Sequence, residues 1–271
     1  MKISVIIPSY KPGSYIYKCL NSIFIQTLDH SKFEVLIILN GCNNPYYDEI
    51  LDFINLRKPS GLFVNLLQTD TPGVSNARNI GIEESNGDFI TFIDDDDWIS
   101  PSYLHELYDQ ASPGCVVISN TIAYNDQYKI LDENYELRKQ FYSLQGKKLT
   151  INNTRKFFGG PVRKLIHKKI ISEFRFDSKY SNGEDSLFMF LISRNINGIY
   201  QTGASAVYYR RFRSGSAFTS KKKFTYILIN RLSLIIDYTR IYIKNITCYN
   251  LIFYCTRVLA SLKEILLFSK R

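Results

Sequence analysis

The sequence predicts an α/β fold: a mostly parallel, Rossmann-like sheet flanked by helices and followed by a C-terminal amphipathic helical appendage. Three observations carry that reading. Short β-branched runs alternate with segments of helical spacing through the first 120 residues. One run delivers four consecutive aspartates, Asp94, Asp95, Asp96 and Asp97, to its C-terminal end, which is where open α/β sheets bind ligands. From residue 221 onward the chain turns basic and helical in period.

Residues 3–7 form the first strand, because Ile3, Val5, Ile6 and Ile7 suit a buried pleated surface and Pro8 closes the run. Apolar side chains at helical spacing over 15–26 give the first helix. Strands follow at 33–39, 62–67, 89–93 and 115–119, with helices at 46–56, 75–84 and 101–110 between them. Strand, helix, strand at this interval leaves room for crossovers, and hence for parallel pairing. No Gly-x-Gly-x-x-Gly follows the first strand and there is no Walker lysine loop, which argues against dinucleotide-binding and P-loop enzymes. The stretch 120–220 is less regular and rich in Lys, Arg, Gly and Tyr, without internal repeats.

The 271 residues can bury a large core, and 45% apolar with 22% charged content excludes wholesale disorder. Five scattered cysteines read as reduced thiols of a cytoplasmic protein, not as a disulfide framework or zinc site. Met1 and Lys2 lead straight into the first strand, so no targeting segment is expected. No uncharged apolar run is long enough to span a membrane.

Four adjacent carboxylates repel one another unless positive charge sits among them. Mg²⁺ or Mn²⁺ prefers such oxygen ligands and commonly shares its coordination sphere with substrate phosphates. A solvated acidic turn is the plainer alternative, so the run gains meaning only from its context.

Residues 221–271 hold ten basic side chains against two acids, Asp237 and Glu264, and so contribute +8 of the total +9. On a helical wheel Asn230, Ser233, Asp237, Arg240 and Lys244 fall within an arc of about 80°. Nearly all the rest is Leu, Ile, Tyr or Phe, with Arg231 the exception. A second helix repeats the arrangement with Asn250, Arg257, Ser261 and Glu264. Packing on the body and attachment to an anionic membrane surface both fit this pattern. No recognition motif accompanies the charge, so nucleic acid is not expected as a partner.

Several segments resemble family 2 glycosyltransferases. Ser4-Val5-Ile6-Ile7-Pro8-Ser9-Tyr10 followed by Leu20-Asn21-Ser22-Ile23-Phe24-Ile25-Gln26-Thr27 looks like the family's opening. Phe33 through Gly41 resembles its second strand, and Gly73-Val74-Ser75-Asn76-Ala77-Arg78-Asn79-Ile80-Gly81 its Ala-Arg-Asn-x-Gly helix start. Asn86-Gly87-Asp88 through Asp94-x-Asp96-Asp97 and Pro101 follows its metal-binding signature. Further on, Lys164-Leu165, Phe176 and Gly183-Glu184-Asp185 resemble the acceptor-side segment, and Tyr208-Tyr209-Arg210-x-x-x-Ser214-Gly215-Ser216 the closing motif. The pieces are individually weak, but their order and spacing agree; the last fifty or so residues are not covered.

The resemblance implies a GT-A domain over 1–220, with a nucleotide-sugar half at 1–120 and an acceptor half at 121–220, ahead of the basic tail 221–271. It implies an inverting, metal-dependent transfer from a nucleotide-diphosphate sugar, UDP being favoured, with Mn²⁺ or Mg²⁺ as cofactor. The acceptor would be a glycan or lipid-linked glycan of capsule, lipopolysaccharide or exopolysaccharide, met at the inner face of the cytoplasmic membrane. Asp96 is the expected metal ligand and Asp95 the expected contact to the donor's ribose or sugar. Asp94 or Asp97 would reinforce the metal site, with helix capping as the alternative for Asp97. Pro8, Ser9 and Tyr10 would border the nucleoside, and Tyr10 could stack on its base. Asn40 matches the uracil-bonding position, although the usual acidic pair is here Leu39-Asn40. Arg78 would face the diphosphate or base, or else make a structural salt bridge. Asp185 is the expected general base and Glu184 its neighbouring runner-up; beginning a helix is their plainer role. Arg210, Arg211 and Arg213 with Ser214, Gly215 and Ser216 would form a lid over the pyrophosphate. That segment has no histidine, so water or phosphate oxygen would complete the metal's sphere. Two other classes compete: a catalytically silent nucleotide-sugar-binding or scaffold protein, and a nucleotidyltransferase. The latter needs a Gly-rich basic loop, of which Tyr10-Lys11-Pro12-Gly13 is a poor version.

Overall fold

A computed structural model describes residues 2–213 and 223–268. The expected lid serines Ser214 and Ser216, with Lys221, Lys222, Lys270 and Arg271 of the basic tail, lie outside the described residues.

In chain order the elements are β1 (Ile3–Ser9), α1 (Tyr15–Phe24), β2 (Phe33–Asn40), α2 (Tyr46–Arg57), β3 (Phe63–Thr69), α3 (Val74–Glu84), β4 (Phe89–Phe92), β5 (Trp98–Ile99), α4 (Tyr103–Asp109) and β6 (Cys115–Ile118). There follow β7 (Asn120–Asn125), β8 (Ile130–Asp132), α5 (Glu136–Ser143), α6 (Ile151–Thr154), β9 (Lys164–His167), α7 (Lys168–Ile171), α8 (Glu184–Ile192), β10 (Gly198–Gln201), β11 (Val207–Phe212), α9 (Phe224–Lys244) and α10 (Leu251–Phe268).

The central sheet runs β10-β6-β9-β4-β1-β2-β3. β1 pairs in parallel with β2 and β4, β2 with β3, and β6 with β10. Only β9 runs against its neighbours, pairing antiparallel with β4 and β6. Every residue of β1, β2 and β4 is buried, as expected of parallel strands covered on both faces. Each fully buried Ile, Val or Phe there contributes about 1.5–3 kcal/mol. Helix α3 lies close against this layer: a Cβ on Gly81 would meet Cγ2 of Ile6 at 2.4 Å, so glycine is what permits the approach.

A second, smaller sheet, β5-β11-β7-β8, was not expected from the sequence. β5 is two residues long and β8 three, too short to show a period. This sheet matters because β11 returns the chain to the acidic turn, pairing antiparallel with β5 through Tyr208 and Tyr209.

α9 and α10 form an antiparallel hairpin in which the rings of Tyr242 and Tyr254 stack at 4.4 Å. The hairpin packs on α8: the Tyr238 and Ser186 hydroxyls share a hydrogen bond of 2.7 Å. Leu234, Tyr238, Tyr249 and Phe253 join the same hydrophobic core as the sheet.

Candidate active site

The tie between β4 and β1 ends where the Ile93 amide donates to the Ile6 carbonyl at 3.0 Å. A tight turn follows, closed by the Asp97 amide on the Asp94 carbonyl at 3.1 Å. It sends the four carboxylates to four different partners. Asp94 Oδ1 accepts from Arg78 Nη2 at 3.0 Å, Asp95 Oδ2 from the Ser9 hydroxyl at 2.6 Å, and Asp96 Oδ2 from Arg213 Nε at 2.8 Å. Asp97 is buried and accepts the Arg211 amide at 2.7 Å. It therefore anchors β11; helix α4 has Ser102 as its N-cap, so the capping role is not the one Asp97 takes.

Burial, with Asp96 and Asp94 beside it, pushes the Asp95 carboxyl up to about 7 against the hydrogen bond from Ser9. Burial and Asp94 likewise raise Asp96, opposed by Arg213. Among the described residues no three acidic, histidine or cysteine side chains converge into a cage for a metal ion. A Mg²⁺-like ion needs less: one or two carboxylates, with waters and substrate phosphates filling the rest. Asp96 with one neighbouring carboxylate offers the hard oxygen ligands that such an ion takes.

Asp185 reaches the same place from the other half of the chain. It is the second residue of α8, whose N-cap Gly183 has φ +99°. Arg78 Nη1 donates to its Oδ1 at 2.5 Å. Arg78 itself is 3% exposed, stands on α3, and has the Phe176 ring 5.4 Å from its guanidinium carbon. One guanidinium thus ties the acidic turn to the start of α8. The Asp185 side chain is 31% exposed; burial raises its carboxyl, and Arg78 opposes the rise. Glu184 is buried beside it.

Other expected residues land differently. Tyr10 is half-exposed at the end of β1, open to a flat ring. Asn40 is buried, and its amide spans two backbone groups: Nδ2 donates to the Ser9 carbonyl at 2.6 Å and Oδ1 accepts the Gly73 amide at 2.9 Å. In this geometry Asn40 ties the end of β1 to the start of α3. Arg211 meets the acidic turn through its main chain, while its side chain turns to other groups. Its register partner on β7 is Tyr124, so its guanidinium lies over Trp98 and Tyr124 and pairs with Asp126 at 3.7 Å. From the same segment, the Arg213 side chain reaches the carboxylate run at Asp96.

Two residues named from sequence only as parts of motifs, with no role assigned, also stand at this place. Tyr208 is fully buried, and its hydroxyl accepts the Asp94 amide at 3.2 Å; its place in the closing motif was the available signal. Lys164 is fully buried with Nζ on the carbonyls of Gly160 and Val162 at 2.5 and 2.8 Å, holding the turn opposite Asp185. Burial pushes its amine well down.

A family model described as glycosyl transferase family 2 matches residues 4–174. The poly(ribitol-phosphate) beta-N-acetylglucosaminyltransferase TarS of Staphylococcus aureus is 26% identical over 235 residues, which are 83% of this chain and 39% of TarS. The chain thus spans about two-fifths of that relative. The crystal structure of S. aureus TarS 1–349 in complex with UDP-GlcNAc superposes with a TM-score of 0.66 at 21% identity, covering 87% of this chain and 67% of that one. A mannosyltransferase from Pyrobaculum calidifontis in complex with GDP-Man and Mn²⁺ gives 0.65 at 12% identity, covering 97% and 69%.

Proposed function

The chain belongs to glycosyl transferase family 2, and from that premise we propose that it moves a sugar from a nucleoside-diphosphate sugar to a hydroxyl of a glycan or lipid-linked glycan. We read the donor as a UDP-sugar, the outcome as inversion at the anomeric carbon, and the product as part of a surface polysaccharide. The observation that supports this is the bridge through Arg78, whose guanidinium donates to both Asp94, the carboxylate we assign to the donor side, and Asp185, the one we assign to the acceptor. UDP-GlcNAc in the TarS complex supports a UDP donor, and Mn²⁺ in the mannosyltransferase complex supports a divalent cation.

Each residue then has a task that its chemistry suits. Ser9 and Asp95 border the ribose or sugar, and Tyr10 offers its ring to the base. Asp96, with Asp94 or Asp95 beside it, would hold a divalent cation that neutralises charge on the departing diphosphate. Arg213 adds positive charge at the same edge. Asp185 takes the proton of the acceptor hydroxyl as that oxygen attacks the anomeric carbon. Arg78 holds Oδ1, which leaves Oδ2 as the oxygen that receives the proton.

UDP release from UDP-GlcNAc and other UDP-sugars in the presence of Mn²⁺ tests the reading. It predicts release by the wild-type chain, arrest by EDTA, and a drop of at least about 100-fold in Asp185→Asn. Equal release by wild type, Asp185→Asn and Asp96→Ala would overturn it.

A further inference from the structure

The C-terminal hairpin wears its apolar side chains outward. On α9 the residues Ile229, Leu232, Ile236 and Ile243 are 67%, 45%, 56% and 67% exposed. Their spacing of three, four and seven places them on one face. α10 does the same with Ile252, Leu259, Leu262 and Leu266, again exposed and at helical spacing. More than half of the exposed large hydrophobic side chains among the described residues belong to this hairpin and its connection. The wheel's polar stripe on α9 borders this face, with Arg240 and Lys244 exposed along it and Asp237 turned inward. Asp237 turns to the Tyr180 hydroxyl at 2.5 Å and to Lys179 at 3.4 Å, while Ser261 is buried.

An apolar face of this extent marks a contact surface, and the charges around it decide the occupant. Both acids of the hairpin are engaged by the protein's own groups: Asp237 as above and by Arg240, Glu264 by Arg231 at 2.5 Å. Lys223, Arg240, Lys244 and Lys263 are exposed along the hairpin. A second copy would bring the same cations against themselves, whereas an anionic lipid surface answers both the apolar stripe and the positive rim. No helix among the described residues is long and apolar enough to cross a membrane, so the hairpin would lie in the interface.

We propose that α9 and α10 dock the protein on an anionic lipid surface through the Ile229–Ile243 and Ile252–Leu266 faces, with Arg240, Lys244 and Lys263 at the headgroups. This goes beyond the transfer reaction and does not depend on it. Removing the hairpin would be a poor test, because Leu234, Tyr238 and Phe253 belong to the core. Outward residues alone are changed instead.

The full chain is sedimented with vesicles of phosphatidylcholine, and with vesicles of equal parts phosphatidylcholine and phosphatidylglycerol. Wild type should bind the mixed vesicles and ignore the neutral ones. Arg240→Gln, Lys244→Gln and Lys263→Gln together should weaken that binding by about 100-fold. Ile229→Ser with Ile236→Ser should weaken it with the cations intact, and circular dichroism should remain that of the wild type throughout. Equal binding to both vesicle types, or to none, overturns the proposal. A dimer in sedimentation velocity that Ile236→Ser disperses, in a chain that ignores vesicles, assigns the face to a second copy and also overturns it. UDP release measured on the same variants separates the two readings: a chain that releases UDP and ignores vesicles loses this proposal and keeps the first.

Discussion

Gly160 lies opposite the Asp185 oxygen that Arg78 does not hold: a Cβ on Gly160 would stand 3.4 Å from Oδ2. Its backbone is extended, with φ −163°, so alanine fits without strain. Gly160→Ala should leave stability unchanged or raised by about 0.5 kcal/mol, while transfer falls because the methyl intrudes on the acceptor hydroxyl. Thermal melts and acceptor kinetics on one preparation check this; unchanged acceptor kinetics would place the reacting oxygen elsewhere.

Asp185→Asn keeps the shape of the site and the contact to Arg78 but takes no proton. Donor binding by calorimetry should stay within a few-fold of wild type while transfer falls by about 100-fold or more. Should the loss fall on donor binding instead, Asp185 belongs to the donor site.

Arg78→Ala leaves Asp94 and Asp185 facing each other without the guanidinium between them. Both carboxylates are about a third exposed, so water screens part of the penalty. We expect a stability loss of about 1–2 kcal/mol. Arg78→Lys should restore stability better than activity, because an ammonium cannot span both acids in the same plane. Urea titration of the two variants separates these effects.

Asp96→Ala removes a carboxylate that burial and Asp94 already disfavour in its charged form. Without metal its melting temperature should equal or exceed that of the wild type, and Mn²⁺ should no longer raise activity. A clearly lower melt would give Asp96 a structural role.

Gly183 combines φ +99° with a tight approach by α9, where a Cβ would meet Leu234 Cδ1 at 2.4 Å. Gly183→Ala should cost about 2–4 kcal/mol from left-handed strain and overpacking, measurable by chemical denaturation. A near-neutral result would mean that α9 yields easily at this point.

The first half of the fold was legible because its periods are clean. The strand and helix expected at 3–7 and 15–26 appear as Ile3–Ser9 and Tyr15–Phe24. The second sheet was not legible, since two- and three-residue strands such as β5 and β8 carry no rhythm. Within the site, Asp94, Asp95, Asp96 and Asp185 could be named from their motifs. The partners they take depend on chain segments that meet only in the fold. Arg211 and Arg213 look interchangeable in sequence, yet register with Tyr124 carries one to Trp98 and the other reaches Asp96. The helical wheel found two polar stripes at the C-terminus but could not tell which face the body covers. The buried set Ile227, Arg231, Leu234 and Tyr238 decides it.

The most direct test of the central claim is a thermal-shift panel of UDP-, GDP-, dTDP- and CMP-sugars, each with and without Mn²⁺. The account predicts stabilisation by UDP-sugars that depends on Mn²⁺ and disappears in Asp96→Ala. No shift with any nucleotide, or the same shift with and without Mn²⁺, would contradict it.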